Sequence, residues 1–411
     1  MAGDPDVRMR GFRERTSVND VLRLLDARLR PMVSEAVPLL EVGGRVLGRD
    51  AVASVDVPGF HRAAMDGYAL VAEETFGASP ENPRPFRVVG DSMPGRAPEA
   101  RVAPGDCVRI MTGAPIPEGA DAVVPVEDTE LEGELVRVRA AVTPGRHVGR
   151  AGEDVAKGSV LFSAGRRLRP QDVGALASAG FNRVFVVRQP RVAIVVAGNE
   201  LLAAGAQPTG HRIADANSPM LIELVRRDGG IPLTGPIVKD EPAALREALI
   251  VSLREADCVL AAGGSSVGRE DHVPALVREL GELPVHGVAM RPSSPAGVGF
   301  VGGKPVFLLP GNPVSCLCAY DFFAGRAIRR MAGRHPGWPH TTVRMPLARK
   351  IVSELGRTDY VRVRIEGGRV LPLAIRGASI LTSTVRAHGF VVVDAEAEGH
   401  PEGALVDVRL Y

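Results

Sequence analysis

Three short stretches of this chain combine glycine, hydroxyl, amide and carboxylate groups in patterns suited to an anionic ligand. They are Gly198-Asn-Glu-Leu201, Gly263-Gly-Ser-Ser-Val-Gly-Arg-Glu-Asp271 and Pro310-Gly-Asn-Pro-Val-Ser315. In the second, two glycines allow positive φ and close approach of the backbone to a ligand, and the serines with the backbone N–H groups supply neutral donors. A helix start directly after it adds positive potential, which favours a phosphate or oxyanion. Asp271 stands at that start, either as an N-cap or as a metal-binding or catalytic carboxylate. The stretch is not a P-loop, because no Gly-Lys-Ser/Thr follows, nor a dinucleotide G-x-G-x-x-G. Asp66-Gly67-Tyr68 and Gly152-Glu-Asp154 read as turns, or as site carboxylates if the fold gathers them. Arg291-Pro-Ser-Ser-Pro295 offers either a guanidinium clamp for an anion or a stiff connection.

The elements that must position these groups follow from the apolar pattern. Val192–Ala197, Ile231–Val238, Asp257–Ala262 and Val306–Leu309 read as strands. Helical stretches at Ser218–Asp228, Glu241–Glu255, Asp271–Leu280 and Pro313–Met331 accompany them. Strand–helix alternation with near-continuous apolar strands predicts a parallel sheet covered on both faces. In such sheets ligands sit beyond the carboxyl ends of the strands, and the three stretches leave those ends. Ser17–Arg30 reads as an amphipathic helix with Ser17 at its cap. The chain is expected to be α/β and multidomain. The expected parts are a discontinuous N-terminal α/β domain (14–51 with 149–187), an inserted β-rich module (52–148), the central parallel-sheet domain (188–338) and a small C-terminal β domain (339–411).

Composition bounds the rest. A chain of 411 residues with 45% hydrophobic and 24% charged residues is long enough for several cores, at about 100–200 residues per domain. A net charge of +2 gives no global reason to expect nucleic-acid binding. Four cysteines are too few for a disulfide framework in such a chain, and free thiols fit a reducing compartment. No apolar run approaches the ~18 residues that span a bilayer, and Met1–Arg15 lacks an apolar targeting segment. No membrane association is expected, and the cytoplasm is the expected location.

Taken together, the motifs resemble the molybdopterin molybdotransferase family, whose animal member is the E domain of gephyrin. The resemblance runs through Val57-Pro-Gly-Phe60, Ala64-Met-Asp-Gly-Tyr-Ala69, Arg109-Ile-Met-Thr-Gly-Ala-Pro-Ile-Pro-Glu-Gly119, Gly152-Glu-Asp154 and the three loops above. It covers nearly the whole chain. It implies insertion of molybdenum from molybdate into adenylylated molybdopterin, with Mg²⁺-dependent release of AMP. It further implies a homodimer with its site between subunits, and contact with other enzymes of molybdenum cofactor biosynthesis. By motif match, the catalytic carboxylates are Asp66, Asp154, Glu200, Asp240 and Asp271, with Asp271 and Glu200 on the cation. Asp66 and Asp154 are expected from the partner subunit. Gly198, Gly263, Gly264, Ser266, Gly268, Pro310, Asn312 and Pro313 would hold or shape the pterin and phosphate pocket. Arg291, Ser315 and Arg362 would meet the oxyanion.

The departures fall on anion donors. The family usually has Lys-Pro-Gly-Lys-Pro where this chain has Arg291-Pro-Ser-Ser-Pro295, so Ser294 replaces a second cation. Ala197, Ala262 and Ala378 replace hydroxyls, and each lost hydrogen bond to a charged group is worth about 1.5–3 kcal/mol. A molybdopterin-binding carrier without catalysis and a paralogue that prefers tungstate are the alternative readings.

Overall fold

The computed structural model describes residues 14–263, 272–374 and 379–411. It contains two compact units, Ala36–Val186 and a larger one made of Met1–Glu35 with Val187–Tyr411.

The larger unit begins with helix α1 (Val18–Arg28). There follow strand β1 (Arg191–Val196), α2 (Asn217–Asp228), β2 (Ile231–Thr234), α3 (Pro242–Glu255), β3 (Cys258–Ala262) and α4 (Val273–Leu280). Then come β4 (Glu282–His286), β5 (Gly297–Val301), β6 (Lys304–Leu309), α5 (Pro313–Ala319), a π-helical segment (Tyr320–Ala324) and α6 (Gly325–Met331). The sheet order is β2-β1-β3-β6-β5-β4. Its first four strands are parallel, as the pattern predicts. The last two are antiparallel additions that the pattern does not reveal. Pro284, Gly297 and Gly299 dilute their strand signal, since proline and glycine are depleted from strand interiors. β2 stops at Thr234 rather than Val238, because Gly235-Pro236 cannot continue a ladder.

The strands alternate their side chains between two cores. Val192, Ile194, Val196, Leu260, Phe307 and Leu309 face a core completed by α1, α2, α5 and α6. Ala193, Val195, Val259, Ala261, Val306 and Leu308 face α3 and α4. Helix α1 docks through Val18, Val21 and Leu25. Its N-terminus is capped by the Ser17 hydroxyl, which accepts from the Asp20 N–H at 3.1 Å.

Residues Thr342–Leu410 form a mostly antiparallel sheet. One face packs Val361, Val363, Val391, Val393, Val406 and Val408 together. The other turns Tyr360 and Phe390 into the α/β core, their rings stacked 4.1 Å apart.

Beneath the α5–α6 helix lies an ionic network that the sequence reading did not anticipate. Arg227 donates to Asp228 at 2.9 Å and to Asp321 at 2.7 Å. Arg329 donates to Asp228 at 2.8 Å. Both carboxylates and Arg329 are buried. Asp321 sits in the π-helical segment, a distortion often found at functional positions.

The smaller unit is β-rich, as expected. A six-stranded sheet joins Gly67–Leu70, Arg84–Ser92, Asp106–Ile110, Ala122–Pro125, Thr129–Glu132 and Leu135–Val138. A separate core of Val42, Leu47, Leu168, Leu176, Val184 and Val186 surrounds the helix Pro170–Ser178.

Candidate functional site

In the larger unit the site elements are the carboxyl ends of β1, β3 and β6. Val196 pairs with Ala262, and Ala262 with Leu309, so all three strands end on one row. The loops after them therefore start side by side. The Gly263 N–H donates to the Leu309 carbonyl at 3.2 Å, and the Ala197 N–H to the Ala262 carbonyl at 3.0 Å. Gly263 has φ +93°, and a Cβ there would lie 2.3 Å from the Ala197 carbonyl oxygen. Only glycine fits this approach, which explains the residue type at the mouth of the second loop. Gly264, Ser266, Gly268 and Asp271 lie outside the described residues.

The first loop is fixed by a reciprocal pair. The Asn199 N–H donates to Asp240 Oδ2 at 3.1 Å, and the Asp240 N–H donates to Asn199 Oδ1 at 3.3 Å. Asp240 thus holds the Gly198–Leu201 turn in place. The Gly198 N–H donates to Val238 at 3.2 Å. Glu200 follows with its side chain exposed.

In the third loop Pro310 is buried, and Asn312 precedes α5 with Pro313 at the first helical position, where a missing N–H costs nothing. Ser315 is 4% exposed, and its carbonyl accepts from the Ser293 hydroxyl at 2.6 Å. Two residues that the sequence reading passed over complete this edge. Asp215 accepts from the Asn217 and Ser218 N–H groups at 2.8 and 3.0 Å, capping α2. The Asn217 amide donates to the Gly311 carbonyl at 2.7 Å and ties α2 to the third loop. The signal was present, since Asp-x-Asn-Ser-Pro before an apolar period is an N-terminal capping pattern.

The two arginines expected to meet the oxyanion lie next to the C-terminal sheet. Arg291 donates to Asp359 Oδ2 at 2.6 Å. That buried carboxylate also accepts from Ser353 and Arg357 at 2.9 Å each. The guanidinium of Arg291 therefore ties this segment to the C-terminal sheet. Arg362 is 1% exposed and lies in Thr358–Glu366, two residues along the strand from Tyr360.

In the smaller unit, three motifs meet. The segment around Ala63 pairs with Val148–Gly149 and exchanges hydrogen bonds with Gly113 and Ala114. Asp66 accepts from the Thr112 N–H and hydroxyl at 2.6 and 2.7 Å. These bonds, the hydroxyl first, hold its carboxyl below the usual range, so it is ionised at neutral pH. Gly67 follows because a Cβ there would fall 1.9 Å from the Val124 oxygen. The Asp154 N–H donates to Val57 at 3.0 Å, and both carboxylates are exposed. The structure thus sets Asp66 and Asp154 on adjoining segments of one unit, and Glu200 and Asp240 on the strand edge of the other.

The thiols take no part. All four cysteines are buried, and burial pushes Cys107 up to about 12 and raises Cys258, Cys316 and Cys318 as well. Buried thiols of this kind are inert. Among the described residues no cluster of three or more His, Cys, Asp or Glu could cage a metal ion. Exposed Glu200 nevertheless suits Mg²⁺, which keeps several waters and uses one or two carboxylates alongside substrate phosphates.

Comparison with known proteins agrees with this geometry. Residues 16–180 match the model of the MoeA N-terminal region (domain I and II), 193–330 the "Probable molybdopterin binding domain", and 344–411 the MoeA C-terminal region (domain IV). A protein of Mycobacterium tuberculosis named molybdopterin molybdenumtransferase 2 is 35% identical over 360 residues, covering 85% of this chain and 88% of its own. The Bacillus subtilis molybdopterin molybdenumtransferase is 32% identical over 387 residues, 92% of this chain and 90% of its own. A crystal structure of the molybdopterin biosynthesis MoeA protein of Pyrococcus horikoshii superposes with a TM-score of 0.80 at 32% identity, covering 97% of this chain and 100% of that one. The chain belongs to the MoeA family.

Proposed function

We propose that this chain is a molybdopterin molybdotransferase, inserting molybdenum from molybdate into adenylylated molybdopterin and releasing AMP. The observation that carries the reading is the single row on which β1, β3 and β6 end, in a chain of this family. Past that row, Gly263 lies close against the Ala197 backbone and opens the turn that receives the phosphate and pterin in this reading. In this reading Glu200 and Asp271 hold Mg²⁺, which polarises phosphoryl oxygens for cleavage. Asp240 positions the Glu200 loop, while Gly198, Gly263, Gly264, Ser266 and Gly268 receive the ligand. Pro310, Asn312, Pro313 and Ser315 form the wall. Asp66 and Asp154 act from a second subunit of a homodimer. The four-part domain division, the cytoplasmic location and contact with other enzymes of the pathway belong to the same proposal.

The test incubates the purified protein with adenylylated molybdopterin, Mg²⁺ and molybdate. Molybdate-dependent AMP release is expected, and its absence at every molybdate concentration would sink the proposal. One observation favours a second reading. Arg291 is engaged by Asp359, which leaves the oxyanion short of a cation and suits a carrier that holds molybdopterin without converting it. A carrier would bind the pterin equally well with chelator present. Competition between molybdate and tungstate in the same assay identifies the preferred oxyanion.

A further inference from the structure

A groove of about 1010 Å³, open to solvent, lies between helix α3 and the β1–β2 side of the sheet. It shares no lining residue with the loops Gly198–Leu201 and Pro310–Ser315. Two features of the sequence open it. Thr234 pairs with Ile194, and Val238 bridges to Ala197. The three residues Gly235-Pro236-Ile237 thus stand against only Val195 and Val196, and such an extra residue interrupts the ladder. In addition, Ala193 on the strand and Ala244 and Ala248 on the helix all line the groove, and side chains this short leave the space between them unfilled. Leu233, Ile237, Val238 and Val251 extend the apolar lining. A mostly apolar recess with a few polar groups is the usual form of a small-molecule site.

The helix lines the groove at Ala244, Glu247, Ala248, Val251, Ser252 and Glu255. These positions share one face, so the groove follows the helix axis. Glu247 and Glu255 are both exposed and stand about 12 Å apart along that axis. Helical neighbours at three and four positions are the ones that can pair with them. For Glu247 these are Ala243, Ala244, Ile250 and Val251, and for Glu255 they are Val251 and Ser252, none of them charged. Arg246 and Arg254 are adjacent in sequence, and adjacent helical positions do not face each other. Arg246 is paired with Glu279, and Lys304 donates to the Leu253 carbonyl at 2.6 Å. The lysine in the lining, Lys239, pairs with Glu241 at 3.8 Å. Among the described residues no ion pair engages Glu247 or Glu255. The groove therefore offers an apolar floor with two carboxylates two helical turns apart.

We propose that this groove binds an elongated organic dication with an apolar middle, of the class of long-chain aliphatic diamines. Its two ammonium groups meet Glu247 and Glu255, and its methylene chain lies along Ala193, Ala248 and Val251. A compact cation reaches one carboxylate, an uncharged chain satisfies neither, and an anion is repelled by both. Only a chain charged at both ends uses the floor and the two carboxylates together.

The full-length protein is titrated by calorimetry with octamethylenediamine and three relatives. These are octylamine (one ammonium), octamethylene glycol (none) and tetramethylenediamine (both, on half the chain). Saturable binding is expected for octamethylenediamine. Octylamine should bind about two- to fivefold more weakly, the effect of one exposed ion pair, and octamethylene glycol more weakly still. Tetramethylenediamine should lose about tenfold or more with its four missing methylenes. Glu247→Gln and Glu255→Gln together, both at exposed positions, should bring octamethylenediamine no higher than octamethylene glycol. Ala248→Phe, which fills the groove, should abolish binding of the diamine and the glycol alike. No saturable binding of octamethylenediamine overturns the proposal. Equal binding of the diamine and the glycol does so too, as does a diamine affinity unchanged by the paired glutamine substitutions.

Discussion

The larger unit concentrates charge in two places, and the two are built on opposite terms. Under the α5–α6 helix, Arg227 and Arg329 face Asp228 and Asp321 within hydrogen-bond distance, and nearly all of these groups are out of water. At the strand edge, Asp240 is held by a backbone N–H and Glu200 stands in solvent. The first arrangement uses charge to fix structure and leaves little for a ligand. The second leaves Glu200 in water, with its charge available to a ligand. Burial among arginines marks the structural carboxylates here, and exposure marks the one free to meet a ligand.

The largest test breaks the buried half of the comparison. Asp228→Ala takes the carboxylate from buried Arg329 and leaves Arg227 with Asp321 alone, and removing one partner of a buried pair costs about 3–5 kcal/mol. Denaturant unfolding should show that loss. Glu200→Gln should change stability by less than about 0.5 kcal/mol, as exposed substitutions usually do, while AMP release falls. Equal destabilisation by the two substitutions would remove the distinction.

A smaller loss is expected at the strand edge itself. Gly263→Ala adds a Cβ at φ +93° that meets the Ala197 oxygen at 2.3 Å. Strain of that kind costs of order 1–3 kcal/mol. Unlike Asp228→Ala, it should also weaken pterin binding in the variant that remains folded, since it shifts the mouth of the loop. Binding at wild-type affinity in a destabilised variant would detach the turn from the site.

His340 sharpens the buried side through pH. Burial, followed by the nearby Arg227, lowers its pKa to about 4 from an ordinary 6.5. Above pH 6.5 the imidazole is neutral in both states and stability is unaffected. Between 6.5 and 4 the unfolded chain takes up a proton that the folded one refuses, so stability falls as pH falls, by about 1.4 kcal/mol per unit. Asp321, whose carboxyl burial pushes upward, takes its proton first in the folded state and offsets part of this at the acid end. His340→Gln should flatten the slope of unfolding free energy over that window. An unchanged slope would mean that the imidazole is not held neutral by the network.

How much of this was visible in the sequence depended on the range of the cause. The four parallel strands, α1 with its Ser17 cap and the β-rich character of the smaller unit follow from local periodicity and capping. The site loops were legible because glycine, amide and carboxylate groups cluster in them, although the contacts that demand Gly263 and Gly67 come from Ala197 and Val124, far along the chain. The role of Arg291 was not, because its partner Asp359 is 68 residues away and nothing in Arg-Pro-Ser-Ser-Pro announces it. The ionic network was hidden for the same reason, since Arg227, Asp321 and His340 are scattered over three elements. Strands β4 and β5 were lost where tertiary pairing overrides a weak local signal.

The smallest expected effect sits where the two regimes touch. Ser293 is 3% exposed and holds φ +86°, a conformation that favours glycine. Its hydroxyl donates to the Ser315 carbonyl at the start of α5. Ser293→Gly should relieve about 1 kcal/mol of backbone cost and lose a hydrogen bond worth about 0.5–1.5 kcal/mol, leaving stability nearly unchanged. Ser293→Ala keeps the backbone cost and loses the bond, so it should fall below both by about 1 kcal/mol. Chemical denaturation of the three proteins side by side separates the contributions. If alanine and glycine behave alike, the positive φ is costless here, and the hydroxyl alone explains why serine can stand beside the site.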